Sequence, residues 1–279
     1  MNYKKFAIIL FLMILLASIF IVFFGFKRKA AMISSGFKNL PILEYHLIER
    51  PEGRWRRSPE NFKRDLAWLY KNGYYPVNLR DLLTHFKGLP EGKKPVVLTF
   101  DDSSLSQFRY LANGKIDSDC AIGMLKAFHE KHPKAWPMRA TFFVLIETDN
   151  PDRNIFGQPA YAKQKLQQLT KWGMEVGSHT YSHEHLNKIS PASARYTLAR
   201  SYQKLKELSG QEIISLALPM GLYPTDEAVF SGRDQSLKYD YQLVCGVAGG
   251  FQVIPYTPRH LKRIQTINSE WIKFFHRYN

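Results

Sequence analysis

Cysteine is nearly absent: the chain has 2 in 279 residues, Cys120 and Cys245, too far apart for a metal or redox spacing. A disulfide-stapled scaffold is therefore excluded, and both are expected to be buried thiols. With 17 Gly and 15 Pro the chain has too little of either for a collagen-like or wholly disordered protein. No internal repeat is present, which excludes solenoids and propellers. Acid is the scarce charge: 24 Asp and Glu face 39 Lys and Arg, a net charge of +15. The first 30 residues hold no acid at all and carry a third of that excess through Lys4, Lys5, Lys27, Arg28 and Lys29. Such a chain suits a negatively charged envelope or polymer, or nucleic acid. No nucleic-acid-binding motif accompanies the charge, so no nucleic-acid partner is expected.

Long apolar runs are also lacking, with one exception. Phe6 to Phe26 contains no charge, Pro, Asn or Gln. As a helix it covers ~30 Å, one bilayer core. A cleaved secretory signal has an apolar stretch of ~7–15 residues ending in a small-x-small site. This run is longer and ends Phe23-Phe24-Gly25-Phe26 before Lys27-Arg28-Lys29. The expectation is a single-pass anchor over residues 1–26 (helix 6–26), a basic linker over 27–40 and one folded domain over 41–279. Basic residues flank the run on both sides, so their count does not orient it. The chemistry below favours an extracytoplasmic domain held at the cell membrane.

From Pro41 onward, β-type runs alternate with helical patterns. Ile42-Leu43 open a strand ending at Glu44-Tyr45-His46. Ser58-Pro59 reads as an N-cap with Pro at N1, and Phe62, Leu66, Leu69 and Tyr70 follow at helical spacing up to Gly73. Pro95–Phe100 is a strand ending in Asp101-Asp102. Helices are expected at 119–130, 162–172 and from Ser190-Pro191 to Gly210. Further strands are expected at 140–145, 174–176, 213–218, 242–247 and 263–267. This alternation implies α/β architecture, a mostly parallel sheet covered by helices. In a barrel version reactive residues sit at the carboxyl ends of strands. Asp101-Asp102, Ser178-His179 and Pro219-Met220-Gly221 all fall in such places.

Adjacent acids after an apolar strand are costly to bury without partners. At a strand's end the chain turns, so both can address one pocket; alternatively Asp102 caps the next segment and Asp101 is solvated. His179-Thr180-Tyr181-Ser182-His183 has the i, i+4 spacing that places two imidazoles on one face of a helical turn, as a divalent metal needs. His185 adds a third imidazole. Two His with one carboxylate leave open positions, the mark of a catalytic rather than structural metal site.

The ordered segments Thr99-Phe100-Asp101-Asp102, Ala140-Thr141-Phe142-Phe143-Val144 and Glu175-Val176-Gly177-Ser178-His179-Thr180-Tyr181-Ser182-His183 resemble successive motifs of the polysaccharide deacetylases, the NodB-homology carbohydrate esterases. Pro41-Ile42-Leu43-Glu44-Tyr45-His46 and Leu261-Lys262-Arg263-Ile264 resemble a branch that includes poly-N-acetylglucosamine deacetylases. The resemblance runs from about Pro41 to Ile267. It implies a distorted (β/α) barrel and a bound divalent metal, commonly zinc, with cobalt or nickel as alternatives. Carried over by position, Asp102, His179 and His183 match the metal ligands and Asp101 the catalytic base. Leu216-Ala217-Leu218-Pro219-Met220-Gly221 aligns with an Arg-x-Pro-Tyr-Gly-like motif whose aromatic residue gives a backbone N–H to the oxyanion; that position is Met220.

The chain departs from the pattern in several places. The Arg that orients the base is replaced by Ala217, the Tyr by Met220, and Ser103 stands where Gly is frequent. The C-terminal Leu-x-His that supplies a general acid is absent, and His46, His185 and His260 are the substitutes. The expected activity is metal-dependent hydrolysis of N-acetyl groups on an envelope or exported polysaccharide, releasing acetate. A catalytically silent barrel that binds glycan is the alternative. A two-carboxylate glycoside hydrolase fits less well, because its acids need ~5–9.5 Å separation. The oligomeric state is left open.

Overall fold

The computed structural model describes residues 38–275, so the apolar run at 6–26 and most of the linker lie outside the described residues. Among the described residues, no helix is long and apolar enough to cross a membrane.

Eight parallel strands dominate: β1 Ile42–Tyr45, β2 Tyr74–Val77, β3 Lys94–Phe100, β4 Thr141–Val144, β5 Glu175–Ser178, β6 Ser215–Ala217, β7 Leu243–Gly249 and β8 Leu261–Gln265. Seven of them close into a barrel in the order β1-β8-β7-β6-β5-β4-β3, with β3 pairing back to β1. β2 lies outside the ring along the amino-terminal half of β3, with Tyr74 opposite Lys94 and Val77 opposite Val97. The carboxyl-terminal part of β3 pairs β4 through Thr99 and Phe100. The expected barrel of parallel strands is thus present.

Among the described residues, five helices pack outside: α1 Pro59–Lys71, α2 Ala121–Lys131, α3 Ala162–Lys171, α4 Pro191–Ser209 and α5 Asn268–Phe275. Local chemistry sets their ends. The Ser58 hydroxyl accepts the Asn61 N–H at 3.3 Å and that of Ser190 accepts the Ser193 N–H at 3.1 Å, each satisfying a donor the helix cannot. Gly210 closes α4 in the left-handed conformation, φ 71°.

Strand alternation sorts the core into two zones. Leu43, Tyr45, Leu98, Phe100, Phe142, Val144, Leu216 and Val244 face outward and join Phe62, Leu66 and Leu69 of α1 in one apolar cluster. The rings of Phe100 and Phe142 stack at 4.7 Å there. The inward positions between them are largely polar: Glu44, Thr99, Thr141, Glu175, Ser215 and Arg263, all buried. Glu175 takes the hydroxyls of Thr141 and Ser215 at 3.0 and 2.8 Å and the Arg80 N–H at 2.8 Å. Burial, opposed by Arg80 and these bonds, pushes its carboxyl up. Gly177 is required inside, since a Cβ there would stand 2.6 Å from the Ser215 hydroxyl and 2.7 Å from the Phe143 ring. Cys120 and Cys245 are buried free thiols, as expected.

Candidate active site

The carboxyl ends of the strands surround a cavity of about 680 Å³. His46, Asp101, Asp102, His179, His183 and Met220 all line it, so the sequence-predicted site residues converge.

β3 delivers the two acids to different jobs. Asp101 continues the inward register of Thr99, and its N–H still bonds Tyr45 O at 2.9 Å. Its carboxylate receives both terminal nitrogens of Arg263, at 2.7 and 2.8 Å, a bidentate pair with both side chains buried. Burial alone would raise the Asp101 carboxyl; Arg263 and then His179 more than offset it, so the group stays below its ordinary range. The next residue leaves the strand: Asp102 has φ 74° and Ser103 φ 42°. That reversal turns the Asp102 carboxylate sideways, 3.4 Å from His179 Nε2 and 3.5 Å from His183 Nε2.

His179 follows β5 directly and is buried. Its Nδ1 lies 2.9 Å from the Ala217 carbonyl, which fixes the tautomer with Nδ1–H donating and Nε2 turned to Asp102. The expected helical turn from His179 to His183 is not formed. The segment is an irregular bend, and Thr180 (φ 68°) and His183 (φ 67°) occupy the left-handed region instead. The Thr180 hydroxyl accepts the Glu184 N–H at 3.0 Å and stabilises that bend. The rings of His179 and His183 end 5.0 Å apart, so the pair converges by a different route from the one the spacing suggests. Asp102, His183 and Met220 all have positive φ, a strain costing ~1–3 kcal/mol each that the surrounding structure must hold.

Asp102, His179 and His183 present ligand atoms all within 4.8 Å of one another. Ligands at ~2.0–2.2 Å from a tetrahedral centre stand ~3.3–3.6 Å apart. The observed separations of 3.4 and 3.5 Å match that edge, so two imidazoles and one carboxylate here fit a divalent ion such as zinc. Burial opposes ionisation of Asp102, yet the His179 hydrogen bond and charge more than compensate and hold the carboxyl low. Burial, and next His179, lower His183 to about 4, leaving its imidazole neutral with a free lone pair. Arg153 also donates to Asp102 Oδ1. Nothing in the sequence pointed to that contact. The segment carrying it is pinned by Ser103, whose hydroxyl donates to Arg153 O at 2.7 Å and accepts the Leu145 N–H at 3.0 Å. The departure from Gly at 103 therefore has a structural use.

Pro219-Met220-Gly221 forms a tight turn after β6. Its bonds run from Gly221 N to Leu218 O at 2.8 Å and Leu222 N to Pro219 O at 3.3 Å, and neither uses the Met220 N–H. Met220 lines the cavity and is 55% exposed. Gly221 cannot be replaced without cost: at φ +69° its Cβ would stand 2.6 Å from Val247 N.

The three histidines left open by the sequence now separate. His46 lines the cavity, packed against Trp55 at 4.6 Å. His260 stacks on Tyr223 at 4.6 Å, bonds Glu227 at 2.9 Å, and belongs to a different depression. His185 lies beyond His183, ring centroids 6.0 Å apart, and does not line the cavity. Sequence reasoning looked for an Arg beside Asp101 at position 217 and missed Arg263, which reaches Asp101 from β8.

A family model described as "Polysaccharide deacetylase" matches residues 88–238, more than half of the chain. β1 and β8, which carry His46 and Arg263, lie outside the matched span. YxkH of Bacillus subtilis, named for the same family, is 25% identical over 190 residues, covering 66% of this chain and 57% of YxkH. The chain thus spans a little over half the length of that relative. The Streptococcus pyogenes deacetylase PplD, solved in complex with acetate, superposes with a TM-score of 0.62 at 22% identity, covering 82% of this chain and 92% of PplD. IcaB from Ammonifex degensii gives 0.60 at 22% identity, covering 84% of this chain and 94% of IcaB. At these identities the structural likeness is one of fold.

Proposed function

The chain belongs to the polysaccharide deacetylase family, and on that premise we propose that it hydrolyses N-acetyl groups of a polysaccharide with a divalent metal, releasing acetate and a free amino sugar. The observation that carries this reading is the convergence of Asp102, His179 and His183 with Asp101 and His46 in one cavity. Asp102, His179 and His183 would hold the ion. When bound, it polarises the acetamide carbonyl and acidifies water at the site, since neither amide nor water reacts readily at neutral pH.

The other steps belong to the chain. Asp101, ionised and fixed in direction by Arg263, takes the proton of the attacking water. The Met220 N–H faces the oxyanion that forms, a contact of the kind worth ~3–4 kcal/mol in other hydrolases. His46 donates the proton that the departing amine requires. The silent-barrel alternative was motivated by the missing Arg and the missing C-terminal His. Arg263 bonds Asp101 from β8 and His46 lines the same cavity after β1, which supports the enzyme.

The apolar run at 6–26 supports a membrane-anchored protein with this domain outside the cytoplasm, acting on an envelope or exported polymer. Protease treatment of intact cells would then remove residues 41–279; protection of that segment would contradict the orientation. For the site itself, His183→Ala is expected to lose most of about one bound divalent ion and acetate release together. Unchanged metal content in that variant would refute the ligand assignment.

A further inference from the structure

In a barrel of parallel strands each helix runs back against the sheet, so the last turns of α1–α5 stand at the amino-terminal pole, opposite the cavity. Those of α1, α2 and α3 carry Lys71, Lys131 and Lys171. Lys94 opens β3, and Lys134 lies in the loop before β4. All five lysines are exposed, and among the described residues none has an ion-pair partner. They belong to one surface. Tyr70 of α1 stacks on His132 at 4.2 Å, joining the ends of α1 and α2. Arg139 donates to the Trp172 carbonyl at 3.1 Å, joining the loop before β4 to the end of α3. The Lys94 ammonium lies 4.6 Å from the ring of Tyr74, just beyond α1.

A cation in a last turn offsets the helix dipole, which accounts for Lys71, Lys131 and Lys171 but not for Lys94, Lys134 or Arg139. The acids nearby do not balance the face: Glu130 pairs with Lys126, Asp81 accepts the Asn78 N–H at 2.9 Å, and Glu91 is the third. The other half of the pole differs. There Lys206 pairs with Glu212 at 2.6 Å and Arg259 with Asp240 at 3.1 Å. One face of the pole is therefore basic and the other neutralised. Tyr74 and Trp172, both partly exposed, stand beside Lys94 and Lys171, and rings interleaved with cations suit a lipid headgroup region. The chain also enters the domain on this side. Asn39–Leu40 lead into β1, where Pro41 O accepts the Val97 N–H of β3 at 3.0 Å, and Lys38 adds another exposed cation.

Resting on the membrane-anchored reading, we propose that the face formed by Lys71, Lys94, Lys131, Lys134 and Lys171 docks on the anionic headgroups of the bilayer that holds the chain. Long lysine stems let each ammonium reach a phosphate without disturbing the core beneath. The tether favours lipid over a soluble polyanion. Residues 27–38 span at most ~40 Å, so an anchor at 6–26 keeps lipid at a high effective concentration, and modest charge attraction then suffices. Docking on this face turns the cavity away from the bilayer. β3 alone is 7 residues long, ~23 Å, so the Asp101–His183 site opens well above the headgroups. That placement suits acetyl groups on an extended polymer rather than on a lipid-linked precursor.

The test uses the full chain incorporated into vesicles of phosphatidylcholine with or without phosphatidylglycerol. Acylation of each lysine is followed by mass spectrometry, with Lys188, exposed at the carboxyl-terminal pole, as the internal reference. The five lysines of the face are expected to react ~5-fold or more slowly when the anionic lipid is present, since such a surface attracts nearby lysines. At ~1 M salt, where the Debye length is ~3 Å, the difference should vanish. Combining Lys71→Glu, Lys134→Glu and Lys171→Glu should abolish the protection of Lys94 and Lys131 while leaving Tm and acetate release from a soluble oligomer unchanged. Equal reactivity in the two vesicles would overturn the proposal. So would equal slowing of Lys188, or protection that survives in the triple variant. A nucleic-acid duplex that protects the face in phosphatidylcholine vesicles as strongly as phosphatidylglycerol does would assign it to polyanions at large and overturn it too. A chain that sediments with neither vesicle would refute the anchor, and the docking with it; that result is distinct from a chain that incorporates with its lysines equally reactive.

Discussion

Arg263→Gln removes the guanidinium that bonds both carboxylate oxygens of Asp101, and the structure sets the size of the effect. The guanidinium is buried and makes two bonds to Asp101, at 2.7 and 2.8 Å, and one to Gly246 O at 2.7 Å. Burial and the charges of Asp101 and Glu44 pull its proton affinity in opposite directions, and the two acids prevail, so it is a permanent cation. Removing one partner of such a pair leaves a buried charge uncompensated, at a cost of about 3–5 kcal/mol. A domain of this size loses about 2–4 °C of Tm per kcal/mol, so a fall of about 6–20 °C is expected by thermal unfolding. Turnover should fall further than stability alone explains. At a temperature where the variant is folded, acetate release should drop ~10²–10⁴-fold, because the base has lost its orientation. The double variant Asp101→Asn, Arg263→Gln should be no slower than Asp101→Asn alone, since both act on one group. An Arg263→Gln protein with wild-type Tm and turnover would refute the assignment of Arg263. Additive losses in the double variant would refute the tether to Asp101.

The adjacent acids should give opposite signatures: Asp101→Asn keeps its metal while turnover falls ~10²–10⁴-fold, and Asp102→Asn loses metal affinity, both read by elemental analysis beside acetate release. The buried Lys165 ammonium donates to Phe156 O at 2.8 Å, and burial lowers it to about 7. An unfolded lysine titrates near ~10.4, so between about pH 7 and 10 the unfolded chain binds more protons and stability rises with pH. Lys165→Met should abolish that rise in urea midpoints and raise stability at pH 7 by on the order of 2 kcal/mol; an unchanged slope would contradict it.

Much of this was legible in the chain because strands such as Lys94–Phe100 and Thr141–Val144 are buried and rich in β-branched and aromatic residues. Lys94–Phe100 and Thr141–Val144 stand within a residue or so of their expected limits, and Ser58-Pro59 and Ser190-Pro191 mark helix starts as expected. β2 went unread because Tyr74-Tyr75-Pro76-Val77 is short and Pro76 removes a donor, which demotes a strand. The hairpin Ser231–Asp234 with Leu237–Asp240 went unread because its sequence is largely polar and exposed. The convergence of His179 and His183 was expected from their spacing, but left-handed residues at 180 and 183 bring it about where a helical turn was expected. Arg263 shows the limit of motif order. Its place beside Asp101 depends on barrel closure, which brings β1 and β8 beside β3 from opposite ends of the chain.

The central claim, that this cavity removes acetyl groups by metal-dependent hydrolysis, is tested most directly by following acetate and free amine released from N-acetylated polymers. The panel should include peptidoglycan, poly-N-acetylglucosamine and chitin-like chains, assayed with metal-loaded, chelated and Asp101→Asn protein. The account predicts acetate and amine in equal amounts from at least one polymer, loss on chelation with recovery on adding a divalent ion, and little release by the variant. Release that survives both chelation and Asp101→Asn, or none from any polymer by the loaded wild type, would contradict it.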